Sequence, residues 1–170
     1  KYYYAGTAQM LIGNKLLAKS GDEKKLGGMI FDTGSSYTYF TKQAYNSLIS
    51  AVRESIGKQL EEVASDMTLP LCWKGRKTFR SIADVKSYFK PLTLNFQSTS
   101  SSTNNVKLEI LPEGYLIISA KGNVCLGILN GTGMSTFNIL GDISLQGYLV
   151  VHDNNNQRIG WARMDCTKPP

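Results

Sequence analysis

The segment GGMIFDTGSSYTYF, residues 27–40, decides the fold of this 170-residue chain. Its apolar residues 29–31 predict a short buried strand, and residues 37–40 predict a second strand after a few small hydroxyl residues. The tripeptide Asp32-Thr33-Gly34 stands between the two strands. This order raises the question of whether Asp32 caps a turn or performs chemistry.

Asp32 has two interpretations. Taken alone, an Asp-Thr-Gly tripeptide is in most proteins a turn or a side-chain cap. Here the carboxylate directly follows an apolar strand at a tight glycine turn, where the amides and hydroxyls of Gly34, Ser35 and Ser36 can donate hydrogen bonds to it. Such hydrogen bonds stabilise the charged form of a carboxyl group. The flanking sequence therefore favours a functional carboxylate.

A second signal lies more than a hundred residues further along the chain. Residues 138–142, NILGD, place two apolar residues before a glycine, in a strand that could cross close behind the first loop. On spacing alone, the simpler interpretation is preferred: an ordinary core strand that ends at a glycine turn.

The length and composition of the chain predict one compact globular unit. A hydrophobic content of 42% in 170 residues is enough for one good-sized core. A chain of this length is not expected to form several domains. No apolar run approaches the roughly 18 to 20 residues that cross a bilayer, so no membrane span is predicted. The chain begins without Met or a signal-peptide pattern, which is typical of a processed piece of a longer protein.

The charge of the chain is positive, with a formal net value of +6 at pH 7. Such a balance could indicate an acidic partner. The Lys and Arg residues are scattered rather than banded, however, which favours a solvated surface and predicts no nucleic-acid interface. The one dense basic stretch is KGRKTFR, residues 74–80, in an apparent loop.

The three cysteines Cys72, Cys125 and Cys166 are far apart and form no CxxC pair, so the sequence predicts no metal site, and it gives no sign of an organic cofactor. Three cysteines are better explained by one disulfide and one remaining thiol than by a metal site. In an oxidising compartment, the unpaired cysteine indicates a partner outside the chain. Asn130 opens the single N-glycosylation sequon, Asn130-Gly131-Thr132. These features predict the secretory pathway, whether extracellular, vacuolar or endomembrane.

Most of the chain is predicted to form short strands separated by turns. Residues 19–25 are predicted as an exposed hairpin turn, residues 154–156 as another turn, and the polar residues 98–105 as a surface loop. The predicted strands, beyond residues 37–40, are residues 9–12, 29–31, 92–96, 106–110, 115–118, 124–129, 137–140, 147–152 and 159–163.

Only a minority of the residues is predicted to be helical. The clearest helix follows the N-cap Thr41 and ends at Gly57, with apolar residues at helical spacing between them. A second, shorter helix is predicted from Ser81, with Pro91 just beyond its end.

Together, FDTGSS at residues 31–36 and ILGD at residues 139–142 resemble the C-terminal lobe of the pepsin-like aspartic proteases. In that family each lobe carries an Asp-Thr/Ser-Gly loop, past which an apolar-apolar-Gly strand threads to form a psi-shaped loop. The resemblance covers nearly the whole chain, and FDTGSSYTYF, LPLCWKG, DVKSYFK and KGNVCLGIL are most similar to the nucellin-like plant members.

This resemblance implies a mostly β fold for residues 1–170. The expected architecture is one lobe of the bilobal pepsin-like fold, a β-barrel or sandwich with a psi loop and a few short helices. The N-terminal lobe is expected to be absent from this chain, and it would be the partner that carries the second aspartate.

The resemblance also implies roles for individual residues. Asp32 matches the second catalytic aspartate. Thr33 matches the residue whose hydroxyl braces the two active loops across the lobe junction, Gly34 the close backbone approach, and Ser35 the hydroxyl that binds the outer carboxylate oxygen. Cys72 and Cys125 fall where the C-terminal lobe has its disulfide, and Cys166 is left to bond to the missing N-terminal half.

The chemistry of this family needs two carboxylates that share one proton, because one takes a proton from water while the other donates to the carbonyl oxygen of the peptide. The chain is therefore expected to be half of an aspartic endopeptidase that acts on peptides or proteins and is inactive alone. A homodimer of the retroviral type is the lesser option. Two alternatives stay open: a catalytically inactive binding or inhibitor protein that resembles the plant xylanase inhibitors, and a lobe used alone as a binding module.

Other conspicuous residues have simpler interpretations. His152 is the only histidine, and without a serine or cysteine motif it is expected at the surface or the edge of the core. Asp142 is expected to be structural, and Trp73 and Trp161 are expected to anchor the packing. Residues 2–4 and 10–13 resemble the segment that enters the lobe beside the cleft in this family, and the resemblance implies that some of their side chains line substrate pockets.

Overall fold

The computed structural model describes residues 3–19, 21–96, 106–134 and 136–167. Within them the chain forms many short strands and two α-helices, α1 (Lys42–Ile56) and α2 (Asp142–Leu145). The strands are β1 (Tyr3–Ile12), β2 (Lys15–Leu16), β3 (Gly28–Phe31), β4 (Thr38–Phe40), β5 (Glu61–Glu62), β6 (Cys72–Lys74), β7 (Leu92–Phe96), β8 (Val106–Ile110), β9 (Leu116–Ile118), β10 (Val124–Leu126), β11 (Ile128–Asn130), β12 (Asn138–Leu140), β13 (Tyr148–Asp153) and β14 (Arg158–Arg163). The mostly β fold class predicted from the sequence is confirmed.

Three sheets organise these strands. The largest runs in the order β11-β4-β12-β3-β1-β7-β8, with β2 paired to β1. A second sheet has the order β5-β6-β10-β9, and β13 forms an antiparallel ribbon with β14. In the ribbon, the ring of Trp161 stacks on Phe31 at 5.4 Å and meets Phe96 edge-on at 5.2 Å, which ties the ribbon to the large sheet.

The centre of the large sheet contains a parallel crossing. Strand β12 pairs in parallel with β3, so that Leu140 lies opposite Phe31, and antiparallel with β4, where Ile139 lies opposite Tyr39. The last strand residue of β12 thus lies beside the last strand residue of β3, although more than a hundred residues separate them in sequence. This arrangement is the psi-shaped crossing that the resemblance implies.

Helix α1 confirms the predicted boundaries. The Thr41 hydroxyl accepts a hydrogen bond from the Ala44 amide, and the chain leaves the helix at Gly57 with a φ of 58°. Positive φ costs little for glycine, which explains the stop. The helix buries one apolar face in the main core, formed by the residues Ala44, Leu48, Ile49, Ala51, Val52 and Ile56.

The helix predicted from Ser81 is wrong in type. Residues Ile82–Asp84 form a single 3-10 turn, followed by further turns. The Asp84 carboxylate accepts hydrogen bonds from the amides of Arg80 (2.8 Å) and Ser81 (3.0 Å), so the local cap is well formed. Val85 and Phe89 are buried, and turns rather than α-helical backbone bring them to the core.

Two further sequence predictions need correction. Residues 19–25 do not link a hairpin, because the tight β1–β2 turn lies earlier, at residues 13–14, and Glu23–Leu26 form a 3-10 helix. The strand predicted over residues 124–129 is divided at Gly127, whose carbonyl accepts from Thr38 and whose amide donates to Tyr115, so the chain passes from the second sheet to the first at this residue.

Of the remaining loop predictions, one falls on described residues and one does not. The turn predicted at residues 154–156 is confirmed, since it joins β13 to β14. The loop predicted at residues 98–105 lies outside the described residues, as does Tyr2. In the described part of the chain, no helix has both the length and the apolar character needed to cross a membrane.

Candidate active site

The loop of Asp32 is fixed from behind by strand β12 and the residues that follow it. The Asp32 amide donates to the Leu140 carbonyl at 3.0 Å, and the amides of Asp142 and Ile143 donate to the carbonyls of Ser35 and Ser36 at 2.7 and 3.2 Å. These three backbone hydrogen bonds hold one end of the loop against the end of β12 and the other end against the start of α2.

Gly141 permits this close crossing. A Cβ atom at this position would lie 2.1 Å from the Tyr37 carbonyl oxygen and 2.7 Å from the Ser35 carbonyl oxygen. Both obstacles are backbone atoms, which cannot rotate away as a flexible side chain can. Glycine is therefore required where the second segment passes the first.

The Asp32 carboxylate is held by two short-range donors. The Gly34 amide donates to Oδ1 at 3.1 Å, and the Ser35 hydroxyl donates to Oδ2 at 2.9 Å. The Ser35 amide does not donate to the carboxylate but to the Asp32 main-chain carbonyl, at 3.2 Å. Among the hydrogen bonds of the described residues, none joins Ser36 to the Asp32 carboxylate. The expectation for Ser36 is therefore wrong, since its backbone faces α2.

The outer side of this loop is open. Asp32 is half-buried, whereas Thr33 and Gly34 are exposed, and the Thr33 hydroxyl has no hydrogen-bond partner among the described residues. A carboxylate that is fixed on one side and open on the other can exchange a proton with a bound water or substrate. No other carboxylate among the described residues is hydrogen-bonded to it.

A buried chain of hydroxyl groups supports the loop, and the sequence analysis missed it. The Gly141 amide donates to Thr38 Oγ1 at 3.1 Å, Thr38 and Ser144 share a hydrogen bond of 2.6 Å, and the Ser144 hydroxyl bonds the Gly114 carbonyl at 3.0 Å. If Ser144 donates to Gly114, then Thr38 must donate to Ser144, and every member is satisfied. The one sequence signal for this chain was the presence of a hydroxyl residue, Thr38 or Ser144, inside each of two apolar runs.

Asn138 is a second support that the sequence analysis missed. Its side chain is fully buried; Nδ2 donates to the Leu26 carbonyl at 2.8 Å and to the Gly27 and Gly28 carbonyls at 3.2 Å, while Oδ1 accepts from the Thr41 amide at 2.9 Å. One amide group thus joins β12 to the entry of β3 and to the start of α1. A buried polar residue at the head of an apolar strand was the available signal.

The second sheet contains a disulfide between Cys72 and Cys125, which face each other on β6 and β10. Asp66 lies beside it, with its carboxylate oxygen and both sulfur atoms within 4.8 Å of one another. Because the sulfurs are bonded together, they offer no thiolate to a metal. Asp66 accepts instead from Ser119 at 2.6 Å and from Asn123 at 2.8 Å, and these hydrogen bonds hold the pKa of its carboxyl group well below the usual range.

The other singled-out residues lie away from the Asp32 carboxylate. Asn130 is exposed at the end of β11, and its side-chain oxygen accepts from the amide and hydroxyl of Thr132 at 3.0 and 2.6 Å. Cys166 is exposed and free. Trp73 is buried and packs edge-on against Phe89, which confirms it as a packing anchor.

Several apolar side chains are exposed on the ribbon and at the start of β1. Leu149 and Val151 are 49% and 52% exposed, because alternate residues of β13 point outward, and Tyr4 on β1 is 52% exposed. The Tyr3 ring lies over His152 with centroids 3.8 Å apart, and Tyr3 and Tyr4 line a cavity of about 400 Å³ with the β13–β14 turn. The expectation that residues 2–4 line substrate pockets stays a prediction.

The parallel psi crossing, the Asp-Thr-Gly loop at its mouth and the surrounding antiparallel strands define the C-terminal lobe of a pepsin-like aspartic protease. The comparisons with known proteins give the same class and a narrower family. Residues 3–163 match the family model described as xylanase inhibitor C-terminal, so the chain belongs to that family, a C-terminal lobe of pepsin-like plant aspartic proteases.

Several plant proteins are similar to the chain. An aspartic proteinase from Oryza sativa subsp. indica is 38% identical over 150 residues, which cover 84% of this chain and 36% of that protein. Aspartic proteinase 39 from Arabidopsis thaliana is 30% identical over 146 residues, covering 83% and 27%. The crystal structure of basic 7S globulin from soybean shares the fold, with a TM-score of 0.71 and 20% identity over 94% of this chain and 38% of that one. The chain therefore spans about a third of the length of these proteins.

Proposed function

We propose that this chain is the C-terminal half of an aspartic-type endopeptidase and that Asp32 is one of its two catalytic carboxylates. The observation that supports this most directly is the Asp32 carboxylate itself, held by the Gly34 amide and the Ser35 hydroxyl and open on its outer side. The names of the plant relatives, which are aspartic proteinases, agree with this activity.

The second carboxylate comes from an N-terminal lobe in this proposal. Two carboxyl groups a few ångströms apart cannot both ionise readily, so they share one proton, and the pair works in acid. The ionised member takes a proton from water, which attacks the peptide carbonyl, and the protonated member donates to the carbonyl oxygen. The isolated chain therefore has no activity, because Asp32 alone cannot fill both roles.

The exposed surfaces of the chain suit this docking. The Thr33 hydroxyl is exposed and open to a partner group, and the apolar patch that Leu149 and Val151 form on β13 is available for burial, as is the separate side chain of Tyr4. Burial of apolar area stabilises such contacts by about 25 cal/mol per Å². In this proposal the N-terminal lobe binds Thr33 and covers the patch, and peptide substrate lies in the cleft between the lobes.

The nearest subfamily in this proposal is the nucellin-like plant proteases, and the protein passes through the secretory pathway. The disulfide between Cys72 and Cys125 is consistent with an oxidising compartment. The exposed Asn130 can accept a glycan there, and Cys166 forms its bond with the other lobe.

The test uses the two-lobe protein rather than this lobe alone. We expect it to cleave a denatured protein near pH 4, to be blocked by pepstatin, and to lose activity on Asp32→Asn. Asp22→Asn is the matched control, since the one side-chain contact of Asp22 among the described residues is a surface ion pair with Lys25. Pepstatin-insensitive activity that survives Asp32→Asn would contradict the proposal.

A second candidate function is that of a protease-derived inhibitor or binding protein without catalysis. The observation that favours it is the family description, xylanase inhibitor C-terminal. The intact Asp32, Thr33, Gly34 and Ser35 favour the protease instead. Absence of all cleavage by a folded two-lobe preparation, together with inhibition of a xylanase, would establish this candidate in place of the first.

A further inference from the structure

A large surface cavity is distant in sequence from the Asp32 loop and shares no residue with it. Its volume is about 1,090 Å³. Its walls are the residues just after α1, the basic stretch of residues 74–80, which the function above does not use, and the turns that follow it. The lining residues are Lys58, Gln59, Gly75, Arg76, Lys77, Thr78, Phe79, Arg80, Asp84 and Tyr88. Four cations and one carboxylate therefore surround one open space.

The four cations, Lys58, Arg76, Lys77 and Arg80, are placed to bind an anion, although the charge of Arg80 also acts on the nearby Asp84 carboxylate. All four are exposed, and none lies in an ion pair with a carboxylate among the described residues. The single acid of the cavity, Asp84, is already occupied, because one of its oxygens accepts from the amides of Arg80 and Ser81. These hydrogen bonds hold the pKa of the Asp84 carboxyl group below its usual range, so it stays ionised and bound to the backbone.

The loop that carries the cations is fixed before any ligand arrives. The Phe79 amide donates to the Gly122 carbonyl at 2.8 Å, and the Phe79 ring lies so close to Gly75 that an added Cβ there would come within 2.5 Å of it. A Cβ on Gly122 would likewise meet the Thr78 side chain at 2.7 Å. A loop packed in this way loses little conformational entropy on binding, which favours affinity.

Two aromatic rings complete the cavity. Phe79 and Tyr88 are half-buried, so one part of each packs against the core while the other part lines the cavity. An aromatic face attracts the positively polarised C–H bonds of a sugar ring because of its negative quadrupole. Guanidinium groups bind carboxylates through two parallel hydrogen bonds.

We propose that this cavity binds an acidic oligosaccharide, with uronate carboxylates on Arg76 and Arg80 and a sugar ring on Tyr88. The volume lies just above the roughly 300–1,000 Å³ of small-molecule sites, which suits several linked sugar units better than one. The choice of an acidic glycan over a nucleic acid rests on the secretory localisation proposed above, with which the disulfide is consistent.

The test measures binding of a decameric oligogalacturonate to the 170-residue chain by calorimetry at low ionic strength. We expect binding that weakens with added salt, and no measurable binding of the neutral, fully methyl-esterified decamer. Arg76→Ser with Arg80→Ser should weaken binding by about tenfold or more, as the loss of charge-assisted hydrogen bonds requires. Lys24→Ser with Lys42→Ser is the control of equal charge, and it should change binding by less than about twofold.

A second arm separates sugar recognition from general attraction of anions. Tyr88→Leu keeps an apolar side chain against the core, and it should weaken oligogalacturonate binding while leaving binding of an inorganic polyphosphate of equal charge unchanged. The thermal midpoint of each variant reports whether it is folded. The proposal is overturned if oligogalacturonate does not bind, if both double variants weaken binding equally, or if polyphosphate or single-stranded DNA binds as tightly as the uronate.

Discussion

The substitution Gly141→Ala tests the central feature of the fold, the passage of the second segment behind the Asp32 loop. The new methyl carbon would lie 2.1 Å from the Tyr37 carbonyl oxygen, 2.5 Å from the Tyr37 carbonyl carbon and 2.7 Å from the Ser35 carbonyl oxygen. Ordinary contact begins near 3.4 Å, so the Tyr37 carbonyl must recede by more than 1 Å. That movement strains the Asp142–Ser35 and Gly141–Thr38 hydrogen bonds, which are only 2.7 and 3.1 Å long.

The expected destabilisation follows from these contacts. Overpacking a core costs about 1–3 kcal/mol when side chains can adjust, and here backbone must move and buried hydrogen bonds weaken. We therefore expect the free energy of unfolding in urea to fall by about 3 kcal/mol. For a domain of this size, that loss lowers the thermal midpoint by roughly 6 to 12 °C.

Gly160→Ala is the matched control for this experiment. Gly160 also lies in the β framework, on β14, but an added Cβ would meet no atom within 4 Å. Its replacement should change the free energy of unfolding by less than about 0.5 kcal/mol. If Gly141→Ala costs no more than Gly160→Ala, the crossing behind the Asp32 loop is refuted.

Three further predictions concern other supports. Asn138→Ala should lower the free energy of unfolding by about 2–4 kcal/mol in urea, because it leaves buried amide and carbonyl groups unpaired, and a change under about 1 kcal/mol would contradict its bridging role. The folded pKa of Asp66 lies below its unfolded value near 4, so its contribution is present above that pH and is lost as the pH falls. The difference in unfolding free energy between wild type and Asp66→Asn should therefore shrink below about pH 4, and a constant difference would refute this. Non-reducing mass spectrometry should find Cys72 bonded to Cys125, and a link of Cys166 to either of them would contradict that pairing.

The parts of the fold that the sequence predicts well depend on local signals. Helix α1 is predicted to the residue because Thr41 caps its own first turn and Gly57 adopts a positive φ at its end, both within the helix's own segment. Strands β7 and β8 are also predicted with their observed bounds, since apolar and β-branched residues mark each of them. The position of Asp32 at the end of a buried strand belongs to the same class of prediction.

The parts that the sequence does not predict depend on partners far along the chain. Strand β6 is only three residues long, and it exists because it pairs with β10 about fifty residues later. Strand β11 separates from β10 because Gly127 bonds both Tyr115 and Thr38. No local pattern contains such information, and propensity is only a weak guide where tertiary contacts decide.

The geometry of the Asp32 carboxylate is set by contacts within this lobe. Its two donors, Gly34 and Ser35, lie within three residues of it, and its loop is bound from behind by the segment around Gly141. In the proposed enzyme, docking of the other lobe thus has to supply a carboxylate and close the cleft, but it does not have to order Asp32. Since preorganised groups need little rearrangement during the reaction, the fixed loop would give this half of the site its catalytic geometry before the lobes meet.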